Sequence, residues 1–118
     1  MKKILVVDDD VNVVKLFQKR LESSGYAVIS AADGEDGLRK VREVKPDLVL
    51  LDVMMPGMDG FSVVREIKSD PELKSIPVLI VTAKGDLGDI FRMEGVAGIF
   101  DKPLQGDEVF AKIRQLVG

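Results

Sequence analysis

The sequence contains no histidine and no cysteine. Without histidine, the chain has no imidazole that could act as a general acid or base, bind a metal or carry a phosphoryl group. Without cysteine, a disulfide framework, a thiolate nucleophile and thiolate metal sites are excluded. Chemistry that depends on either residue is therefore ruled out within this chain.

The sequence also lacks a basic stripe with interleaved aromatic residues, and its formal net charge is -3. Both features argue against direct binding to nucleic acid. The apolar run that follows Lys3 stops at Asp8, which is too short for a signal peptide, and no segment approaches the length of a membrane span. We therefore expect a cytoplasmic protein that contacts neither nucleic acid nor a membrane.

The 118 residues are 46% hydrophobic and 31% charged, which is typical of one globular domain with a core of its own. Short apolar segments alternate five times with segments of helical periodicity, and this alternation predicts an α/β fold with a parallel sheet covered on both faces. The predicted strands are 4–7, 26–30, 48–51, 77–82 and 97–100. The last helix is predicted to bury Val109, Ile113 and Leu116, whereas the helix after Thr82 is predicted to be short or frayed because Gly85, Gly88, Gly95 and Gly98 occur in that stretch.

Polar residues follow four of the five predicted strands. In an open parallel sheet, ligands bind beyond the carboxyl ends of the strands, so these residues are candidates for a site. They are Asp8 and Asp9 after the first strand, Asp52 after the third, Thr82 at the end of the fourth and Lys102 after the fifth. The second strand ends in Ala31 and Ala32, which offer no obvious chemistry, and Asp10 is interpreted only as the cap of the first helix.

The three aspartates form a set that is hard to explain without a cation. A single aspartate at a strand end usually caps the next helix. Two carboxylates about 4 Å apart, however, repel each other by about 4 kcal/mol at an effective dielectric constant near 20. Hard oxygen ligands of this kind suit Mg²⁺ or Mn²⁺.

Thr82 and Lys102 are predicted to lie at the same edge of the sheet as the three aspartates. Taken alone, Thr82 is an ordinary strand residue and Lys102 a solvated surface charge. Next to a divalent cation they provide a hydroxyl and an ammonium group for binding phosphoryl oxygens. Pro103 disfavours helix at Lys102 and so keeps that residue extended at the end of its strand.

The pattern closely resembles the receiver domain of two-component response regulators. The resemblance covers the whole chain and rests on four motifs in the correct order: residues 4–9 ending in Asp8-Asp9, residues 51–60 around Asp52, Thr82-Ala83 and Lys102-Pro103. It implies one receiver domain over residues 1–118 with no effector domain in this chain. It also implies the strand order 2-1-3-4-5 of the doubly wound flavodoxin-like and chemotaxis-regulator-like fold.

The resemblance further implies the function of each site residue. Asp52 would be the phosphoacceptor and would receive a phosphoryl group from the phosphohistidine of a histidine kinase or of a histidine phosphotransfer protein. Asp8, Asp9, Asp52 and the backbone carbonyl of Met54 would bind Mg²⁺, with Mn²⁺ as a substitute. Lys102 would pair with the phosphoryl group. The chain would catalyse its own phosphorylation and dephosphorylation without being a conventional turnover enzyme.

Phosphorylation would change a surface that binds another protein. Thr82 would couple the site to the surface formed by the helix after it, the fifth strand and the last helix, where a downstream protein binds, and the chain would be a monomer or a phosphorylation-dependent dimer. One position departs from the family pattern. Ile99 stands where many receivers have a switch aromatic residue, with Phe100 next to it, so the usual rotation of an aromatic ring is not expected.

Three other functions compete with this interpretation. The first is a receiver-like module that binds proteins without phosphorylation, against which the retained acidic set argues. The second is a hydrolase of the haloacid dehalogenase type, which would need an aspartate where this chain has Met54. The third is a flavin-binding protein on the same fold, but the three aspartates after the first strand would repel its phosphate.

Overall fold

The computed structural model describes residues 1–52, 60–82, 95–101 and 107–118, and for Thr82 and Asp101 it describes the backbone only. The strands are β1 (Lys3–Val7), β2 (Ala27–Ala31), β3 (Leu48–Leu51), β4 (Val78–Thr82) and β5 (Gly98–Asp101). The helices in the described residues are α1 (Val11–Ser23), α2 (Gly34–Val44), α3 (Gly60–Ser69) and α4 (Glu108–Val117). The helix predicted after Thr82 lies outside the described residues.

All five strands form one parallel sheet in the order β2-β1-β3-β4-β5, which confirms the predicted fold class. The two strands at its centre, β1 and β3, are apolar runs whose residues from Ile4 to Val7 and from Leu48 to Leu51 are at most 2% exposed. Alternate residues face opposite sides, so Leu5 and Val7 pack in one core cluster while Ile4 and Val6 pack in the other. A strand covered on both faces accounts for a sequence that is apolar at every position.

The predicted helix boundaries are confirmed at three places. Asp10 is the N-cap of α1, where its side chain accepts hydrogen bonds from the backbone N–H groups of Asn12 and Val13. Asp33 is the N-cap of α2 and accepts from Asp36 N–H. Gly25 follows the end of α1 with φ of 95°, a conformation that glycine adopts without the steric cost of a side chain.

Several strand starts and one helix residue differ from the sequence prediction. β1 begins one residue earlier than predicted, at Lys3, and β4 and β5 begin one residue later, at Val78 and Gly98. β2 begins at Ala27, and Tyr26 precedes it as a buried residue of the turn after α1. In α4, Val109 and Ile113 are fully buried as predicted, but Leu116 is 36% exposed and Val117 packs against the core instead. Helical periodicity allows positions three or four residues apart on the inward side, and in α4 the core contacts follow the four-residue spacing of Val109, Ile113 and Val117.

One face of α2 carries a set of ion pairs beside β2. Asp36 pairs with Arg39 and with Lys40, and hydrogen bonds from these two residues hold the pKa of the Asp36 carboxyl below its usual value. The Lys40 ammonium group also donates a hydrogen bond to the backbone carbonyl of Ser30 in β2. Lys40 therefore ties α2 to the last strand on this side of the sheet.

None of the helices in the described ranges has the length and hydropathy needed to cross a bilayer.

A close approach between α2 and β1 occurs at Gly37. A Cβ atom added there would lie 3.0 Å from both γ carbons of Val7, which is 1% exposed and lies in β1. Glycine in a helix ordinarily costs about 1 kcal/mol relative to alanine. At this position the missing side chain lets the helix lie on the sheet.

We expect Gly37→Ala to lower the free energy of unfolding by about 1 kcal/mol, because overpacking outweighs the gain in helix propensity. In a Val7→Ala background, which removes the two γ carbons, the same substitution should instead raise that free energy by about 0.5 to 1 kcal/mol. Urea denaturation of the four proteins of this cycle measures both changes. An equal effect of Gly37→Ala in the two backgrounds would contradict the contact.

Candidate functional site

The carboxyl ends of β1 and β3 lie level with each other at one edge of the sheet. The two strands are hydrogen-bonded neighbours in which Val7 pairs with Leu51, so that Asp8 and Asp52 are the next residues of each. Backbone bonds hold both positions, because Asp52 N–H donates to the carbonyl of Val7 at 2.9 Å and Asp8 N–H donates to that of Ala31 at 3.0 Å. Strand pairing therefore brings together two aspartates that are 44 positions apart in the sequence.

Asp9 joins these two residues to form an acidic cluster of Asp8, Asp9 and Asp52. Each contributes one carboxylate oxygen to a group whose members all lie within 4.8 Å of one another. Asp8 is 4% and Asp52 is 7% exposed, whereas Asp9 is exposed to solvent. The cluster thus has two sheltered carboxylates and one at its mouth.

The turn between β1 and α1 orients one member of the cluster. The backbone N–H of Asp10 donates to Oδ1 of Asp8 at 2.9 Å. Asp10 itself is fixed, because its side chain caps α1. The cap residue, which sequence reasoning gave no part in the site, therefore contacts it through its backbone.

The donor set of the acidic cluster fits a hard divalent cation. All of its ligand atoms are carboxylate oxygens, which Mg²⁺ and Mn²⁺ prefer. Three like charges at this separation repel one another, and the burial of Asp8 and Asp52 strengthens the repulsion. A bound cation would remove this repulsion and use the negative charge that the fold has assembled.

A depression of about 250 Å³ opens beside the acidic cluster. It is lined by residues of the cluster, of α1 and of the end of β2. They are Asp8, Asp9, Val11, Val14, Lys15, Gln18, Ser30, Ala31 and Ala32. In the sequence, the end of β2 offers no obvious candidate for the site. In the structure, the small side chains of Ala31 and Ala32 border the depression next to the cluster. This pair of alanines was the sequence feature that could have indicated the depression.

The other predicted site residues are described only in part. Thr82 is the last residue of β4, and its backbone pairs with that of Asp101 in β5. Met54, Lys102 and Pro103 lie outside the described residues. Ile99 and Phe100 are on opposite faces of β5, where Ile99 packs against the core cluster that contains Ile80 and Phe100 against the cluster that contains Val109 and Ile113.

A doubly wound parallel sheet with an acidic cluster at its carboxyl edge defines a class of α/β proteins that bind ligands at the ends of their strands. The family model described as the response regulator receiver domain matches residues 4–114. The chain belongs to this family.

Relatives in sequence and in structure agree with this assignment. The chain is 42% identical over 118 residues to the alkaline phosphatase synthesis transcriptional regulatory protein PhoP of Bacillus subtilis, covering 98% of this chain and 48% of PhoP. It is 41% identical over 116 residues to the response regulator PleD of Caulobacter vibrioides, covering 97% of this chain and 26% of PleD. The chain thus spans about half of one relative and about a quarter of the other.

Solved structures match over nearly their whole length. The chemotaxis response regulator CheY4 of Vibrio cholerae has a TM-score of 0.90 and 28% identity, with 98% of both chains covered. The response regulator TrrA of Thermotoga maritima, solved in complex with Mg²⁺ and BeF, has a TM-score of 0.89 and 33% identity, covering 98% of this chain and 99% of TrrA.

We expect Asp9→Asn to raise the melting temperature of the metal-free protein by several degrees, because it removes one of three mutually repelling charges, an effect of about 1 kcal/mol. Saturating Mg²⁺ should raise the melting temperature of the wild type more than that of the variant. Thermal unfolding in EDTA and in Mg²⁺ measures both effects.

Asp33→Asn is the matched control, since it removes one carboxylate from a helix cap but leaves the acidic cluster intact. A gain in the melting temperature of the control equal to that of Asp9→Asn would show that general charge, and not repulsion in the cluster, is responsible.

Proposed function

We propose that this chain is a phosphoacceptor domain that takes a phosphoryl group onto Asp52 from a phosphohistidine. The donor must be another molecule, a histidine kinase or a histidine phosphotransfer protein, because this chain contains no histidine. The observation that carries the proposal is the acidic cluster, in which Asp52 stands at the end of the central strand with Asp8 and Asp9 within reach of one cation.

The chemistry is a transfer between two nucleophiles. A carboxylate oxygen of Asp52 attacks phosphorus, an oxygen–phosphorus bond forms, and the nitrogen–phosphorus bond of the donor breaks, with its electron pair returning to the imidazole. The product on this chain is an acyl phosphate, which water later hydrolyses to restore the carboxylate. The chain thus promotes its own modification and its reversal and is not a conventional turnover enzyme.

The residues of the cluster divide this task. Asp8, Asp9 and Asp52, with the backbone carbonyl of Met54, would hold Mg²⁺ or Mn²⁺. The ion would supply positive charge that offsets the negative charge of the transferring phosphoryl group. Asp52 is positioned by the hydrogen bond of its N–H to Val7, so the attacking oxygen starts from a rigid strand end.

Lys102 and Thr82 complete the proposed site. We assign Lys102 to the phosphoryl oxygens as a second cation and Thr82 as a hydroxyl donor that responds to phosphorylation. The backbone of Thr82 stands at the end of β4, next to β3 in the sheet, which supports its assignment. Pro103 would keep Lys102 extended at the end of β5.

The response to phosphorylation would appear at the surface formed by the helix predicted after Thr82, β5 and α4. Ile99 and Phe100 connect the two faces of β5 to the two core clusters. We propose that repacking of Ile99, an aliphatic residue, replaces the rotation of an aromatic ring, and that a downstream protein or a second phosphorylated copy binds there.

Residues 1–118 would act as one receiver domain in the cytoplasm. The absence of an effector domain from this chain stays a prediction, because the relatives extend well beyond the matched region. PhoP is named a transcriptional regulator, yet the matched part of it is only about half its length. We propose that the partners of this chain are proteins, and its net charge of -3 argues against direct contact with DNA.

Incubation with acetyl phosphate and Mg²⁺ should add the mass of one phosphoryl group to the wild-type protein, and EDTA should prevent the addition. Asp52→Asn should abolish it, because an amide is not a phosphoacceptor, whereas Asp33→Asn should retain it. The adduct should survive acid and be lost in base. Intact-protein mass spectrometry measures each of these results.

An unchanged mass of the wild type under these conditions would favour the alternative module that binds its partners without phosphorylation. An adduct that persists in Asp52→Asn would show that another residue is the acceptor. Continuous release of phosphate with many turnovers per chain would instead indicate a hydrolase.

A further inference from the structure

The three consecutive aspartates after β1 have different surroundings. Asp8 and Asp9 belong to the acidic cluster, whereas Asp10 is exposed and serves α1. Oδ1 of Asp10 accepts hydrogen bonds from the N–H groups of Asn12 at 2.9 Å and Val13 at 3.4 Å. The side chain of Asp10 therefore fixes the first turn of the helix.

The backbone of Asp10 makes contacts on both sides of the turn. Its carbonyl accepts the N–H of Val14 at 3.1 Å, and its own N–H donates to Oδ1 of Asp8 at 2.9 Å. Its φ of -89° and ψ of 108° are the extended values of a capping residue. The same residue is thus bonded forward to α1 and backward to a member of the cluster.

We propose that Asp10 is a positioning residue for the cation site, because its capping side chain keeps its backbone N–H on the carboxylate of Asp8. This inference rests on the proposed function only in that the acidic cluster binds a divalent cation. The N–H bond orients Asp8 and partly offsets its charge before the ion arrives. A ligand already oriented loses less conformational freedom when it binds.

Two substitutions at Asp10 distinguish this role from an effect of the negative charge of its side chain. If Asp10 acted through its negative charge, asparagine and alanine would weaken cation binding equally. If it acts through the cap, asparagine should replace it well, because the Asn side-chain oxygen accepts the same N–H bonds, whereas alanine cannot. Partners of metal ligands typically change metal affinity by about 10- to 100-fold when they are removed.

The α2 cap offers a matched control on the same protein. Asp33 accepts the N–H of Asp36 at 2.8 Å, so that Asp33→Ala removes a helix cap of the same kind. Asp33 is not a member of the acidic cluster. A loss of affinity that came only from lower helix stability would therefore appear in both alanine variants.

The experiment is calorimetric titration of the full chain with Mg²⁺, repeated with Mn²⁺ and paramagnetic detection of the free ion, since the chain has no tryptophan to report binding. We expect Asp10→Ala to weaken binding about 10-fold, with Asp10→Asn and Asp33→Ala within about 2-fold of the wild type. Thermal unfolding of all variants in EDTA should show similar losses for the two alanine substitutions.

Each other result overturns the proposal. Unchanged affinity in Asp10→Ala, with the wild type binding normally, refutes the positioning role and leaves the proposed function intact. Equal losses in Asp10→Asn and Asp10→Ala assign the effect to charge, and equal losses in Asp10→Ala and Asp33→Ala assign it to helix stability. A wild type that binds neither ion refutes the cation site itself.

Discussion

The mutual repulsion of three carboxylates is the constraint on which the functional edge of this protein depends. Asp8, Asp9 and Asp52 are brought within 4.8 Å, and two of them are largely removed from water. Isolated aspartates would separate under this repulsion. They stay together because Asp8 and Asp52 follow paired strands and their N–H groups are bonded to the carbonyls of Ala31 and Val7. The hydrogen-bonded sheet thus holds the carboxylates together in a site with high negative charge.

The two apolar strands at the centre of the sheet make this arrangement rigid. β1 and β3 are buried on both faces, and their pairing, from Ile4 with Leu48 to Val7 with Leu51, fixes the level at which the two strands end. Around this fixed centre the accessory parts of the site come from turns. The turn after β1 orients Asp8 through Asp10, and the small residues at the end of β2 leave the adjacent depression open. Rigid strands therefore set the positions of the carboxylates, and turns set their surroundings.

The fold was predictable from the sequence because its signals are local and repeated. Apolar runs such as 48–51 are too short for helices, and Asp10, Asp33 and Gly25 mark helix ends by side-chain or backbone chemistry that acts within a few residues. The grouping of the acidic residues was also predictable, because parallel strands end at one edge. This prediction required only that each aspartate directly follow a strand, and it did not depend on how many residues separate the aspartates in the sequence.

Features that depend on packing between distant elements were not predictable. Leu116 has a helical spacing that allows burial, yet it is exposed because the core contacts of α4 follow Val109, Ile113 and Val117, four residues apart, and not the position three residues after Ile113. The bond from Asp10 N–H to Asp8 needs the torsion angles of one turn, which residue types alone do not specify. Gly37 reads as a poor helix residue until the γ carbons of Val7 are seen beneath it.

The hydrogen bond from the Lys40 ammonium group to Ser30 affects whether the outer edge of β2 can pair with a strand of another molecule. Ala27 and Ala31 direct their backbone groups toward β1, so the intervening residues Val28 and Ser30 of this parallel strand direct theirs outward. Lys40 occupies the outward carbonyl of Ser30 and is itself held by Asp36. A foreign strand that tried to extend the sheet would have to displace a charged side chain from the hydrogen bond it needs. The sheet therefore carries a built-in barrier to fibrous growth along β2.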